Sequence, residues 1–186
     1  LFFDPQQGSL PNLEAYAQEW GLQPGKGVVY DQTNAVGTIF QPIEGTVDSD
    51  TIGSLPNGMH ADLATARPLT LLYSSKGSRT TTALVSTADT SRLWNPPAVT
   101  AQAAQNFQPS SGDAKGPFTI VAKSTQSAVY NNNSVSSTMV VSGSTAMTDQ
   151  SLLEATNLTN ADLMLNMVNK LGGFKSGINI TPKNRS

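Results

Sequence analysis

The sequence predicts a single α/β domain, three layers deep around a mostly parallel central sheet. Two observations carry this. The first thirty residues read as strand, helix, strand, the order of a βαβ unit, and such units favour parallel strands covered by helices. Near the other end, Met139-Val140-Val141-Ser142 is an unbroken apolar run, as expected of a central parallel strand buried on both faces. The length, 186 residues, is enough for one full core.

The elements follow in order. Leu1-Phe2-Phe3 reads as the end of a buried strand, stopped at Asp4-Pro5. Pro11 to Trp20 reads as a helix, with Pro in a favoured first-turn position. Leu13, Tyr16, Ala17 and Trp20 make its apolar stripe, and Gly21 ends it. Val28 to Asp31 is a second strand. Thr38 to Pro42, Thr46 to Asp48, Leu69 to Tyr73, Thr81 to Ser86 and Phe118 to Lys123 are strand-like. Asn95 to Gly116 reads as a long loop with a short helix at Val99 to Asn106. Gln126 to Ser137, rich in Asn and Ser, reads as a polar loop. A last helix spans about Asn160 to Leu171, capped by Thr159 or Asn160, with Ala161, Met164, Leu165, Val168 and Leu171 as its buried stripe. Gly172-Gly173 stops it, and Ile178-Asn179-Ile180 is a short final strand before Pro182.

Composition narrows the function classes. Charged residues are 13% of the chain, about half the usual ~25%. The net charge is −2, without a basic cluster, so nucleic acid is not an expected partner. There is no cysteine, which removes disulfides, Cys-ligated zinc and a thiol nucleophile. No apolar run reaches the ~18 residues of a spanning helix, and no signal peptide is visible. The start at Leu1, without Met, reads as an excised fragment of a longer protein.

Few residues combine into recognisable chemistry. His60 is the only histidine, in Gly58-Met59-His60-Ala61-Asp62, where Asp62 could orient it. The nearest analogue of a nucleophile elbow is Ser142-Gly143-Ser144-Thr145-Ala146, which lacks Gly-x-Ser-x-Gly. The plainer reading of His60 is a loop residue with local hydrogen bonds. Asp4 and Asp31 each follow a strand, and in a parallel sheet such ends form the carboxyl edge where ligands bind. Two carboxylates there could hold Mg²⁺ with Lys123 as partner, although the spacing departs from a receiver domain. The plainer reading is turn-capping aspartate. Gly143, Ser144 and Thr145 could cradle an anion through main-chain N–H groups, but no nucleotide-binding pattern accompanies them. Asp4, Asp31, Gly143, Ser144 and Thr145 are therefore the candidate ligand edge. No catalytic residue, metal or cofactor is expected. Trp20 and Trp94 read as packing residues, and the Asn-x-Ser/Thr triplets as chance in so polar a chain.

One resemblance adds to this reading. Asn160 to Gly172 (NADLMLNMVNKLG), followed by Ile178-Asn179-Ile180-Thr181-Pro182-Lys183, resembles the C-terminal signature of the auxiliary extracytoplasmic components of bacterial ABC transport systems. That family includes the gliding-motility-associated transporter auxiliary protein. Met139 to Leu153 is similar to its strand and loop before that helix. Leu13 to Gly21 (LEAYAQEWG), with Val28 to Asp31, is similar to its Leu-rich helix ending Trp-Gly. Lys170 stands where the family has Trp, and Ser144, Thr145 and Ala146 where it has acidic loop residues. The resemblance implies a flavodoxin-like or glutamine-amidotransferase-like fold without catalytic residues. It also implies a membrane-anchored parent on the extracytoplasmic face of a bacterial cell, with ABC permease and ATPase subunits as partners.

Two functions of different class follow. One is a non-catalytic auxiliary domain that binds protein or exported substrate. The other is a degenerate amidotransferase-like or hydrolase domain, with a small-ligand or carbohydrate-binding module as a variant at the same sheet edge. The missing cysteine and the lone histidine favour the first.

Overall fold

Residues 1–172 are described by the structure, a computed structural model. Among them are five α-helices: α1 (Pro11–Glu19), α2 (Ser49–Ile52), α3 (Ala101–Gln105), α4 (Gln150–Leu153) and α5 (Asn160–Leu171). The short strands of the first half are β1 (Leu22–Pro24), β2 (Val28–Tyr30), β3 (Glu44–Val47), β4 (Leu69–Leu71) and β5 (Ser75–Lys76). They are followed by β6 (Arg79–Thr87), β7 (Arg92–Trp94), β8 (Ala114–Lys115), β9 (Thr119–Tyr130) and β10 (Asn133–Ser142).

Asn131 and Asn132 decide much of the architecture. Both hold positive φ, 49° and 63°, which asparagine tolerates better than most residues. Two such residues in succession make a two-residue primed turn, whose twist matches that of a hairpin. The strands on either side therefore fold back on each other in uninterrupted register from Tyr130↔Asn133 to Val121↔Ser142. The expected polar loop at Gln126 to Ser137 is thus the outer half of the longest strand pair.

The main sheet has the order β1-β4-β9-β6-β3, with β10 beside β9 and β5 beside β6. A smaller sheet has the order β2-β7-β8. Every ladder in both is antiparallel. This corrects the expected three-layer, mostly parallel sheet, whether flavodoxin-like or glutamine-amidotransferase-like. The helix after the first strand forms, and Gly21 (φ 82°) ends it. The chain then makes β1, which pairs with β4, and Val28–Tyr30 joins the other sheet. The βαβ unit therefore never closes. Among the described residues, Leu1-Phe2-Phe3 contributes one parallel bridge, Phe2↔Ser142. Met139 to Ser142 is not a central strand but the inner end of β10. An unbroken apolar run reports burial on both faces; it does not report the direction of the neighbours.

Burial on both faces is real. On one side Phe3, Ala17, Leu22, Leu69, Ala122 and Val141 pack together beneath α1. On the other, Leu84, Val85, Ile120 and Val121 meet Ile52, Leu63, Met147, Leu163 and Met167. The irregular segment from His60 to Arg67 is mostly buried, and its Ala61, Leu63 and Ala66 belong to the second of these clusters.

The last helix forms as expected, but its facing is rotated. Asn160, Leu163 and Met167 are buried, with Met164 and Leu171 packed against the core. Leu165 and Val168, expected inside, are 45% and 54% exposed. The strand expected at Ile178 to Ile180 lies outside the described residues.

Candidate functional site

Two of the expected candidate groups meet at the inner end of β10. Gly143 continues that strand against Arg67: the Arg67 N–H donates to the Gly143 carbonyl at 2.8 Å, and the Gly143 N–H donates to Ile120 at 2.8 Å. A Cβ at Gly143 would overlap the Arg67 carbonyl oxygen, so only glycine permits this approach. Ser144 is fully buried. Its hydroxyl donates to the Ala64 carbonyl at 2.5 Å and accepts from the Met147 N–H at 3.2 Å. Thr145 donates through Oγ1 to Asp4 Oδ2 at 2.7 Å, while Asp4 Oδ1 accepts from the Gln6 N–H. Asp4 and Thr145 thus latch the N-terminal residues to the chain beyond β10, while Gly143 and Ser144 hold Arg67 and Ala64.

Arg67, which the sequence did not single out, is the cation of this region. It is buried, its Nε donates to the Gly25 carbonyl at 2.5 Å, and its guanidinium lies 6.0 Å from the Phe3 ring centroid. Burial lowers its pKa, while the nearby charges of Glu14 and Asp4 act in the opposite direction.

Asp31 does not join the latch. It is buried at the end of β2, where Oδ1 accepts from the Thr33 and Asn34 N–H groups and Oδ2 from Thr90 Oγ1 at 2.6 Å. That is turn capping, the plainer of the two sequence readings. Lys123 lies in the middle of β9, opposite Val140 and Thr82, and not at a strand end. Asp4, Asp31 and Lys123 therefore do not form one carboxylate–lysine constellation, because the antiparallel ladders give no shared carboxyl edge.

His60 is oriented by Glu44, not by Asp62: Nδ1 lies 2.9 Å from Glu44 Oε1, and Glu44 Oε2 accepts from the Ala61 N–H. Ser144 does not hydrogen-bond to His60. Asp62 instead belongs to a buried network. Its N–H donates to Asn160 Oδ1 at 2.8 Å, and Asn160 Nδ2 donates to the carbonyls of Asp62 and Met147. Asp62 Oδ2 accepts from Gln41, whereas Oδ1 is buried without a partner among the described residues. Burial raises the Asp62 pKa to about 6, with the Gln41 bond pulling the other way. Asn160 was expected as a helix cap. That signal is local, whereas its partners lie 98 and 13 residues away in the chain.

Two further features escaped the sequence. Tyr30, Phe40, Trp94 and Phe107 form an aromatic cluster with centroids 4.8–6.4 Å apart, closed by the Tyr30 hydroxyl donating to Asp113 Oδ2. Beside α5 runs an apolar groove of about 380 Å³, lined by Leu1, Phe2, Val140, Met164, Val168 and Leu171 among others. The α5 pattern held the signal for it: six large apolar residues between Leu163 and Leu171 exceed what one helix face can bury.

Among the described residues, no group of three or more His, Cys, Asp or Glu side chains could hold a metal, and no helix is long and apolar enough to cross a membrane. Compared with known families, curated proteins and solved structures, the chain matches no family model, no curated protein and no solved structure.

Proposed function

We propose that this chain is a non-catalytic binding domain that serves as the extracytoplasmic auxiliary part of an ABC-type transport system, with α5 as its docking helix. The observation that carries the reading is the apolar excess of α5. Leu163 and Met167 anchor it to the core, while Leu165 and Val168 face outward beside an apolar groove. Surface helices ordinarily carry polar residues on their outer face, so a second apolar face points to a second contact. The same helix carries the resemblance to the transporter auxiliary components, which supports a protein partner drawn from that system's permease. The rival reading, a hydrolase or small-ligand site at the latch, has less support. The Ser144 hydroxyl is used in both directions inside the protein, and the lone histidine is held by Glu44.

The test is co-expression of the full-length parent with its neighbouring permease and ATPase genes. The wild type is expected to co-purify with the permease, and the Leu165→Asp, Val168→Asp double variant to be folded and lose it. A parent that retains no permease, or a double variant that binds as wild type, overturns the assignment. Esterase or amidase turnover lost in Ser144→Ala would transfer it to the rival.

A further inference from the structure

The outer half of the β9–β10 hairpin has a property separate from the α5 groove. Exposed strand edges are ordinarily blunted by charge, proline or a bulge. Along β10 none of these is present. The ten pairs with β9 are in unbroken register, and from Ser124 to Thr148 the chain carries no Lys, Arg, Asp or Glu and no proline. Asn133 to Thr138 are all exposed, as are Val129, Tyr130 and Val135 near the tip.

The direction of the unused main-chain groups follows from the groups that are used. At the inner end of β10, the Ser142 N–H donates to Leu1, the Ser142 carbonyl accepts from Phe3, and the Val140 carbonyl accepts from the Leu1 amino group. Residues 140 and 142 therefore point their main-chain groups away from β9. By the two-residue period of a strand, so do Thr138, Ser136 and Ser134. Among the described residues nothing pairs with this edge between Asn133 and Met139.

We infer that this edge is a self-association site, in which β10 pairs antiparallel with β10 of a second copy about a twofold axis through Ser136. The register supports a second copy over another occupant. The free stretch Asn133–Met139 is centred on Ser136, so a twofold there sets Ser134 opposite Thr138 of the copy and uses every outward group. Charge supports it too. In an isologous contact the residue on the axis meets its own equivalent, so a charge at Ser136 would face a like charge. A segment without charges meets itself without that penalty. Ser134, Ser136 and Thr138 are small, and they let the second strand approach at the usual spacing.

The full chain should run as a dimer by size exclusion with light scattering. Ser136→Pro removes an N–H that β9 does not use, so it should give a folded monomer whose melting temperature matches that of the wild type at low protein concentration. Should that variant fail to fold, Ser136→Lys carries the test. It sets like charges across the axis, and the dimer should weaken by ~10-fold or more at low salt. The chain has no cysteine, so Ser136→Cys is the only thiol. It should oxidise to a disulfide-linked dimer, whereas exposed Gln108→Cys should not. A wild type that is monomeric up to its solubility limit, or a dimer indifferent to Ser136→Lys, overturns the inference.

Discussion

The thread from His60 to Arg67 and the hairpin arm of β9 and β10 are opposites. The thread has almost no regular structure yet lies inside the molecule; the arm is regular throughout, yet its outer half is exposed. The difference shows what a backbone needs. In the arm each strand satisfies the groups that face the other and water reaches the rest, so it can leave the core without burying an unpaired group. In the thread the hydrogen-bonding partners must come from elsewhere. Asn160 serves Asp62, Glu44 serves Ala61, Ser144 serves Ala64 and Gly143 serves Arg67. The thread is thus the place where single side chains carry large energies.

Asn160→Leu is the strongest way to break that contrast. It leaves one buried N–H and two buried carbonyls without a partner, and should cost about 4 kcal/mol. Chemical denaturation reads this directly; a loss under about 1 kcal/mol would mean that the thread finds other partners. Gly143→Ala comes next. Its Cβ would collide with a main-chain oxygen, which cannot swing aside as a side chain can, so about 3 kcal/mol should be lost with the Arg67–Gly143 bond.

Asp62 sharpens the comparison through pH. Its pKa is raised to about 6 in the folded protein, from 3.8 for the free group. Below the lower value both states are protonated and the residue has no effect. As pH rises, the unfolded chain loses its proton first, so stability falls until the folded state ionises near pH 6 and is level above that. Asp62→Asn should remove this fall and be more stable than wild type by ~2–3 kcal/mol at neutral pH. Equal melting temperatures of the two proteins at pH 4 and a gap at pH 7 are the expected signature.

How much of this was legible in the sequence differs between the regions. The local elements were: α1 with its proline start and glycine stop, the strands around Leu69, Thr81 and Phe118, and the existence of α5. Their pairing was not, because strand direction depends on turns and long-range partners. Tyr130-Asn131-Asn132-Asn133 held the hairpin signal, obscured by a run of Ser and Asn that resembles loop composition. The α5 facing was missed by about one position. Two stripes fit the helix period, and the one chosen from the sequence avoided Asn160. A polar residue can occupy the inner face when every hydrogen bond is met, and Asn160 meets three. Of the residues named for the candidate edge, Asp4 and Thr145 are in contact, while Asp31 caps a separate turn.

Thr65 tests whether the thread stores strain. It holds φ at 48°, unfavourable for a β-branched residue, while its N–H reaches the Phe40 carbonyl at 2.9 Å. Thr65→Asn tolerates that conformation better and should gain about 1 kcal/mol. A loss would show that the Thr65 side chain contributes more than its backbone costs.

The smallest effect is expected in the arm. Val129 is 75% exposed near the hairpin tip, and its main chain keeps its ladder whatever side chain it carries. Val129→Ser should therefore change stability by no more than ~0.5 kcal/mol, slightly downward because serine has the lower strand preference. The measurement should be made at low protein concentration, where association through β10 does not add to the melting temperature. A loss comparable to that of Asn160→Leu would mean that the tip is packed against something in solution. The contrast between a self-sufficient arm and a dependent thread would then fail at its exposed end.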